Sequence, residues 1–160
     1  MAKRSSDSAR HSRAEIPIMK PARIEEADDR LYVAESTNRG AGRGLFAKVP
    51  LERNESVEVI GMLVPARSAA DQCTSYADAY KFRVGGYLLV PAGYGGMANH
   101  SSSPNMQKVI KGRRVYLRAL RRIEKDEELL FAYSAYAQKR FKLSKRAQPA
   151  AAAGRKQRAA

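Results

Sequence analysis

One cysteine, two histidines and no tryptophan in 160 residues remove several chemistries at once. Cys73 has no second thiol to pair with, so no intramolecular disulfide staples the chain. His11 and His100 beside that thiol are too few soft ligands for a tetrahedral zinc cluster. The expected setting is therefore a reducing, intracellular one. No run of about 18 apolar residues is present to span a bilayer, and the N-terminal segment carries charge without an apolar stretch that would direct secretion, so no membrane partner is expected. Acidic residues are scarce as well: 16 Asp and Glu stand against 30 Lys and Arg, a formal charge of +14. That excess attracts polyanions or acidic protein surfaces over a Debye length.

The charge is uneven, since residues 137–160 hold eight Lys and Arg and no acid. Residues 1–29 mix Ser, Arg, Asp and Pro without period and are expected to form a mobile arm, in which Ile16 and Ile18 have the spacing of a short edge strand. Residues 147–160, rich in Ala with interspersed Lys and Arg, lack large apolar side chains and read as a disordered basic tail. What lies between suits one domain. Its catalytic part is placed at 30–136 and a C-terminal flanking helix at 137–146.

Inside that span short apolar runs alternate with Gly, Pro, Asn and Asp. Leu31–Ala34, Gly44–Ala47, Val57–Val64, Tyr87–Val90, Val109–Ile110, Val115–Leu120 and Leu129–Tyr133 have strand lengths. Lys111-Gly112-Arg113 reads as a hairpin turn. Ala69–Tyr80 is the best internal helix, with Tyr76 and Tyr80 four apart on one face, and a second helix is expected from about Ser134. The class is mainly β with short helices.

Three separated segments carry the functional signal. Asn38-Arg39-Gly40-Ala41-Gly42-Arg43-Gly44-Leu45-Phe46 has glycine at every second position, which suits either a tight hairpin turn or a loop whose backbone a ligand approaches. A strand rather than a helix follows it, so it is not a nucleotide phosphate loop. Asn99-His100-Ser101-Ser102-Ser103-Pro104-Asn105 is a run of turn formers, in which His100 is the residue that a polar turn does not account for. Glu127-Glu128-Leu129-Leu130-Phe131-Ala132-Tyr133 reads as a charged turn running into an apolar strand.

In this order the three segments resemble the signature of the SET domain: Gly42-Arg43-Gly44, then Asn99-His100-Ser101 with Pro104-Asn105, then Glu127-Glu128-Leu129 leading to Tyr133. The resemblance covers about Leu31 to Tyr136. It implies small β-sheets closed by a C-terminal pseudoknot, and a protein-lysine methyltransferase that uses S-adenosyl-L-methionine. By that analogy Gly42, Arg43, Gly44, Asn99 and His100 hold the cofactor, Phe141 covers its adenine, and Tyr133 is the catalytic residue at the end of a lysine channel. Tyr76, Tyr80 and Tyr136 line that channel or simply pack. No cysteine follows Asn-His-Ser, where Ser102 stands, and zinc-binding flanks are absent, so the chain resembles compact viral and bacterial members. Those members make a homodimer a further expectation.

The implied partner is a protein carrying the target lysine, a histone or nucleoid-like protein, with DNA or RNA contact through residues 139–158. A ribosomal-protein substrate, or a nucleic-acid-binding module with an inactive SET-like fold, are the competing readings.

Overall fold

The computed structural model describes residues 28–143, and the expected strand at Ile16 and Ile18, most of the expected arm and the whole basic tail lie outside them. Ten strands and two short helices follow one another: β1 (Leu31–Glu35), β2 (Arg43–Ala47), β3 (Ser56–Val59), β4 (Gly61–Pro65), α1 (Ala69–Cys73), β5 (Phe82–Val84), β6 (Tyr87–Pro91), β7 (Asn99–His100), β8 (Met106–Lys111), β9 (Arg114–Ala119), β10 (Leu130–Phe131) and α2 (Ala135–Arg140). They form three sheets, with orders β1-β2, β3-β9-β8-β10-β7 and β4-β6-β5.

Alternation sets which face is buried. In β9, Val115, Leu117 and Ala119 are buried while Arg114, Tyr116 and Arg118 between them are not. Those inward residues meet Leu45 of β2, Val57 and Val59 of β3, Met106 of β8, Ile123 and Leu129 in one core. Each fully covered Leu or Ile contributes about 1.5–3 kcal/mol by leaving water.

The run Val57–Val64 is divided between two sheets. A Cβ on Gly61 would lie 2.1 Å from the Val90 carbonyl oxygen, so only glycine lets β4 leave β3 and pair with β6 from Gly61↔Pro91 onward. The helix expected over Ala69–Tyr80 is shorter than its pattern. Ser68 caps α1, accepting from Asp71 N, and the Thr74 hydroxyl donates to the Ala70 and Asp71 carbonyls at its end. A 3-10 turn at Ser75–Ala77 follows, so Tyr76 and Tyr80 share no helical face and are 81% and 49% exposed; they do not pack in the core. β5 was not anticipated. α2 starts behind a Ser134 cap, where the second helix was expected to begin and ahead of the flanking segment placed at 137–146, and Phe141 is its C-cap; residues 144–146 of that segment lie outside the described residues.

The C-terminal segment closes the fold by threading. β10 runs parallel to β7 on one side, Phe131 opposite His100, and parallel to β8 on the other, Phe131 opposite Met106. The loop joining β7 to β8 therefore crosses over it, and Ser101 N and Asn105 N donate to the Phe131 and Leu130 carbonyls at 3.2 Å each. This is the expected pseudoknot. It brings His100 and Tyr133 within hydrogen-bonding distance across more than thirty residues of chain.

Candidate active site around Tyr133

β10 ends at Phe131, and two residues later the Tyr133 ring lies against three others: His100 at 5.3 Å between centroids, Phe131 at 4.9 Å and Phe141 at 6.1 Å, edge-on. Its backbone N–H donates to His100 Nδ1 at 3.0 Å, and its hydroxyl donates to the Ala98 carbonyl at 3.1 Å. Both ends of the tyrosine are thus fixed from the segment that carries Asn99 and His100. Burial, reinforced by the neighbouring Tyr80 hydroxyl, pushes the Tyr133 pKa up to about 12. At neutral pH the group is a neutral hydroxyl rather than a phenolate.

Tyr133 and Phe141 stand on the wall of a cavity of about 580 Å³, within the range of small-molecule and side-chain sites. Gly96, Ala98, Phe131 and Ala132 give it an apolar lining, and Tyr80 and Tyr136 stand at the wall while remaining 49% and 74% exposed. Lys81 closes one side. Its ammonium meets Asp71 Oδ1 and Asp78 Oδ1 at 2.7 Å each, and the Asp71 carbonyl at 3.0 Å. Burial draws the Lys81 pKa down, but the two carboxylates outweigh it and hold it above the usual lysine value; in return the Lys81 ammonium, hydrogen-bonded to both, holds Asp71 and Asp78 below the usual carboxylate range. Arg140 of α2 reaches Asp78 at 3.5 Å, tying the helix to the same cluster.

The remaining expected site residues form a second, adjoining group. Gly42, Arg43 and Gly44 do not make one turn. The turn is Ser36–Gly42, where Gly40 and Gly42 take φ of +81° and +71°, whereas Arg43 and Gly44 already lie in β2, opposite Glu35 and Ala34. A Cβ at Gly42 would meet nothing within 4 Å, so that glycine serves the backbone angle and leaves the loop open. A Cβ at Gly44 would lie 2.1 Å from Glu128 Oε1, so that glycine makes room for a carboxylate. The Arg43 guanidinium lies along its own sheet, donating to the Val33 carbonyl at 3.1 Å. Asn99 Nδ2 donates to the Arg43 carbonyl at 2.9 Å, to Ser36 Oγ and to Glu128 Oε1. The His100 carbonyl accepts from Asn38 Nδ2 at 3.0 Å.

Glu128, a member of the third signature segment, is the residue to which sequence reasoning gave no role in the site. It is 3% exposed and accepts from Ser36 Oγ at 2.7 Å, Thr37 N at 2.8 Å, the Thr37 hydroxyl and Asn99 Nδ2. One buried carboxylate therefore joins the glycine loop to Asn99 and to the strand that leads to Tyr133. Asn105 performs the matching task from the crossing loop, its Nδ2 donating to the Glu128 carbonyl at 2.8 Å and its Oδ1 accepting from Leu130 N at 2.8 Å. No cluster of three or more His, Cys, Asp or Glu able to hold a metal occurs among the described residues, and Cys73 is exposed and free.

A β-rich domain with a threaded C-terminal strand, an Asn-His edge and a half-buried tyrosine at a cavity is a defined class of architecture. The SET domain family profile matches residues 42–134, well over half the chain, and the chain belongs to the SET domain family. No curated protein matches it. Among solved structures it is similar to a Plasmodium falciparum protein proposed to be a histone methyltransferase, at 25% identity and a TM-score of 0.53, over 66% of this chain and 94% of that one. It is also similar in fold to a humanized Chaetomium thermophilum Polycomb Repressive Complex 2 bound to an inhibitor, at 20% identity and a TM-score of 0.57, over 68% of this chain and 16% of that one.

Proposed function

We propose that the protein transfers a methyl group from S-adenosyl-L-methionine to the side-chain amine of a lysine on a protein partner. The observation that carries the reading is Tyr133: a neutral, half-buried hydroxyl held on the Ala98 carbonyl at the apolar and aromatic side of the cavity, directly beside the Asn99-His100 edge. The chemistry suits such a site, because methyl transfer to an amine is an in-line displacement that needs alignment and no covalent enzyme intermediate. Bound S-adenosyl-L-methionine supplies the sulfonium methyl group. The open Gly40–Gly42 backbone, exposed and without a neighbour where a Cβ would stand at either glycine, fits its polar end. Arg43, Gly44, Asn99 and His100 shape that side of the site and Phe141 offers a flat apolar ring to its adenine. On the protein's side, the apolar and aromatic wall around Tyr133 disfavours the ammonium form of a lysine placed against it, and the Tyr133 hydroxyl with the Ala98 carbonyl orients the neutral amine.

A histone or other DNA-associated basic protein is the substrate class this reading favours, with a ribosomal protein second and residues 139–158 as a further contact to DNA or RNA. A homodimer and an intracellular location complete the proposal. Among the described residues no helix is long and apolar enough to cross a membrane.

The test is incubation with methyl-labelled donor and a panel of histones, nucleoid proteins and ribosomal proteins, with labelled lysines mapped by mass spectrometry. Tyr133→Phe keeps the ring and removes the hydroxyl, so labelling is expected to fall by about 10²-fold or more while the thermal midpoint stays within a few degrees. No label on any protein, together with no donor binding by calorimetry, sinks the enzyme reading and leaves an inactive SET-like binding module.

A further inference from the structure

Six charged side chains stand around the Tyr133 cavity: Asp71, Asp78, Lys81, Arg83, Lys108 and Arg140. Four of them cancel. Lys81 is paired with both carboxylates and Arg140 with Asp78, so that cluster is neutral and calls for no further ion. Arg83 acts on Asp71 only through space, behind the Lys81 hydrogen bond that chiefly holds that carboxylate. Among the described residues neither Arg83 nor Lys108 has a hydrogen bond or an ion pair of its own. The cavity is left with two unmatched positive charges.

Lys108 is out of place by pattern. β8 and β9 pair residue by residue, so Lys108 shares the inner face of the sheet with its partner Leu117 and with Met106, both buried. An ammonium in that phase needs a way out to water, and it has one at the cavity, where Lys108 is exposed. Phe131 of β10 stands opposite Met106 in a parallel ladder, and two residues further along the two chains come Tyr133 and Lys108. Both line the cavity. Arg83 belongs to the other sheet. It lies on β5 between buried Phe82 and Val84, and the Phe82 ring stacks on Phe131 at 5.7 Å between centroids. One unmatched cation thus comes from each of two sheets to the cavity that holds Tyr133.

Such a pair opposes a third cation and favours an anion, and charge matching of this kind decides which partner fits more than how tightly it binds. We propose that Lys108 and Arg83 recognise an anionic side chain, a carboxylate or a phosphate, next to the target lysine. The substrate is then a lysine beside an anion rather than one inside a lysine- and arginine-rich stretch. The inference rests on the methyltransferase reading and narrows it: even on a basic protein, the lysine methylated is the one with an anionic neighbour.

The test uses the full chain, methyl-labelled donor and short peptides with one central lysine among alanines, the residues on either side of it being glutamate, phosphoserine, glutamine or arginine. Glutamate- or phosphoserine-flanked peptides are expected to exceed glutamine-flanked ones by about tenfold in kcat/KM, between the effect of an exposed ion pair and that of a charged hydrogen bond out of water. Arginine-flanked peptides should be the slowest. Arg83→Gln/Lys108→Gln should level the series, and Arg83→Glu/Lys108→Glu should invert it in favour of arginine, which a loss of fold cannot do. A gain confined to glutamate names a carboxylate, one confined to phosphoserine a phosphate, and either supports the proposal. Rates indifferent to the flank in the parent, or an anion preference that survives in the glutamate variant, overturn it, while label on the peptides leaves the methyltransferase reading standing. No label on any peptide overturns it too, and absence of donor binding by calorimetry then takes that reading down with it.

Discussion

Gly44 and Glu128 occupy complementary volumes, and their coupling has a calculable size. In Gly44→Ala the new methyl group would stand 2.1 Å from Glu128 Oε1, 2.8 Å from Cδ and 3.2 Å from Asn99 Nδ2, so carboxylate and methyl cannot both keep their places. Displacing the carboxylate strands its donors on Ser36, Thr37 and Asn99. Breaking a buried charged network of that kind costs about 3–5 kcal/mol, and Glu128→Ala should cost about the same, since it removes the same acceptor. The double variant should then cost scarcely more than Glu128→Ala alone, giving a coupling of about 3 kcal/mol in a double-mutant cycle. Gly42→Ala is the control: it meets no atom within 4 Å, so it bears only the left-handed backbone cost of about 1–2 kcal/mol, with no coupling to Glu128. Urea unfolding followed by circular dichroism reads all six proteins, Gly42→Ala/Glu128→Ala among them; at about 1–3 kcal/mol per molar, 3 kcal/mol moves the midpoint by about 1–3 M. If Glu128→Ala does not fold, Glu128→Gln, which keeps the volume and one acceptor, replaces it. Additive costs, or a Gly44→Ala variant as stable as the parent, would refute the assignment of Gly44 to the carboxylate and return it to the ligand loop.

Two further outcomes follow from the ionisable groups. With its pKa near 12, Tyr133 favours the folded state fully below the ordinary tyrosine pKa of about 10, and that contribution is lost as pH rises through 12; beside Tyr32, which its hydrogen bond to Asp126 also raises, an ultraviolet phenolate titration should show a tyrosine titrating near 12 that disappears in Tyr133→Phe. Titration of every tyrosine near pH 10 would contradict it. Lys81→Met removes the cation that depresses Asp71 and Asp78. Their contribution is present above the unfolded carboxylate pKa of about 4 and vanishes as pH falls through the lower folded values, so the parent should lose stability across that acid window and Lys81→Met should lose less; identical acid profiles would place the acid sensitivity elsewhere.

Strand existence was legible because period-two alternation and turn residues are local. Val115, Leu117 and Ala119 declare the inner face of β9 without help from the rest of the chain. The mistakes came from tertiary choices. Nothing near Val57–Val64 says that Gly61 must clear the Val90 carbonyl, and so nothing divides that run between two sheets. Ala69–Tyr80 has helical spacing, but Thr74 spends its hydroxyl on the preceding carbonyls and the helix stops there. Leu129–Tyr133 has the composition of a five-residue strand, yet only Leu130 and Phe131 pair, because the loop that crosses β10 spans no more than that.

The site divides the same way. Asn99, His100 and Tyr133 were found as motif residues, and the threaded strand is what puts them together. Glu128 was hidden because it sits in the run Glu124-Lys125-Asp126-Glu127-Glu128, whose natural reading is a solvated turn. Its neighbour Glu127 supports that reading, being paired with the exposed Arg121. The signal that separates the two glutamates is phase. Phe46 of β2 bridges Glu128, and Leu129 N donates to the Leu45 carbonyl, so the buried alternation has begun one residue before the apolar run does. A carboxylate in that phase must find donors or unfold the segment, and the donors it finds are those of the glycine loop and Asn99. The three signature segments are then one hydrogen-bonded unit, in which the open glycine loop, the edge beside it and the tyrosine at the cavity are positioned by a single buried charge. That is why a substitution at Glu128, which stands on neither the cavity wall nor the open loop, should disturb both.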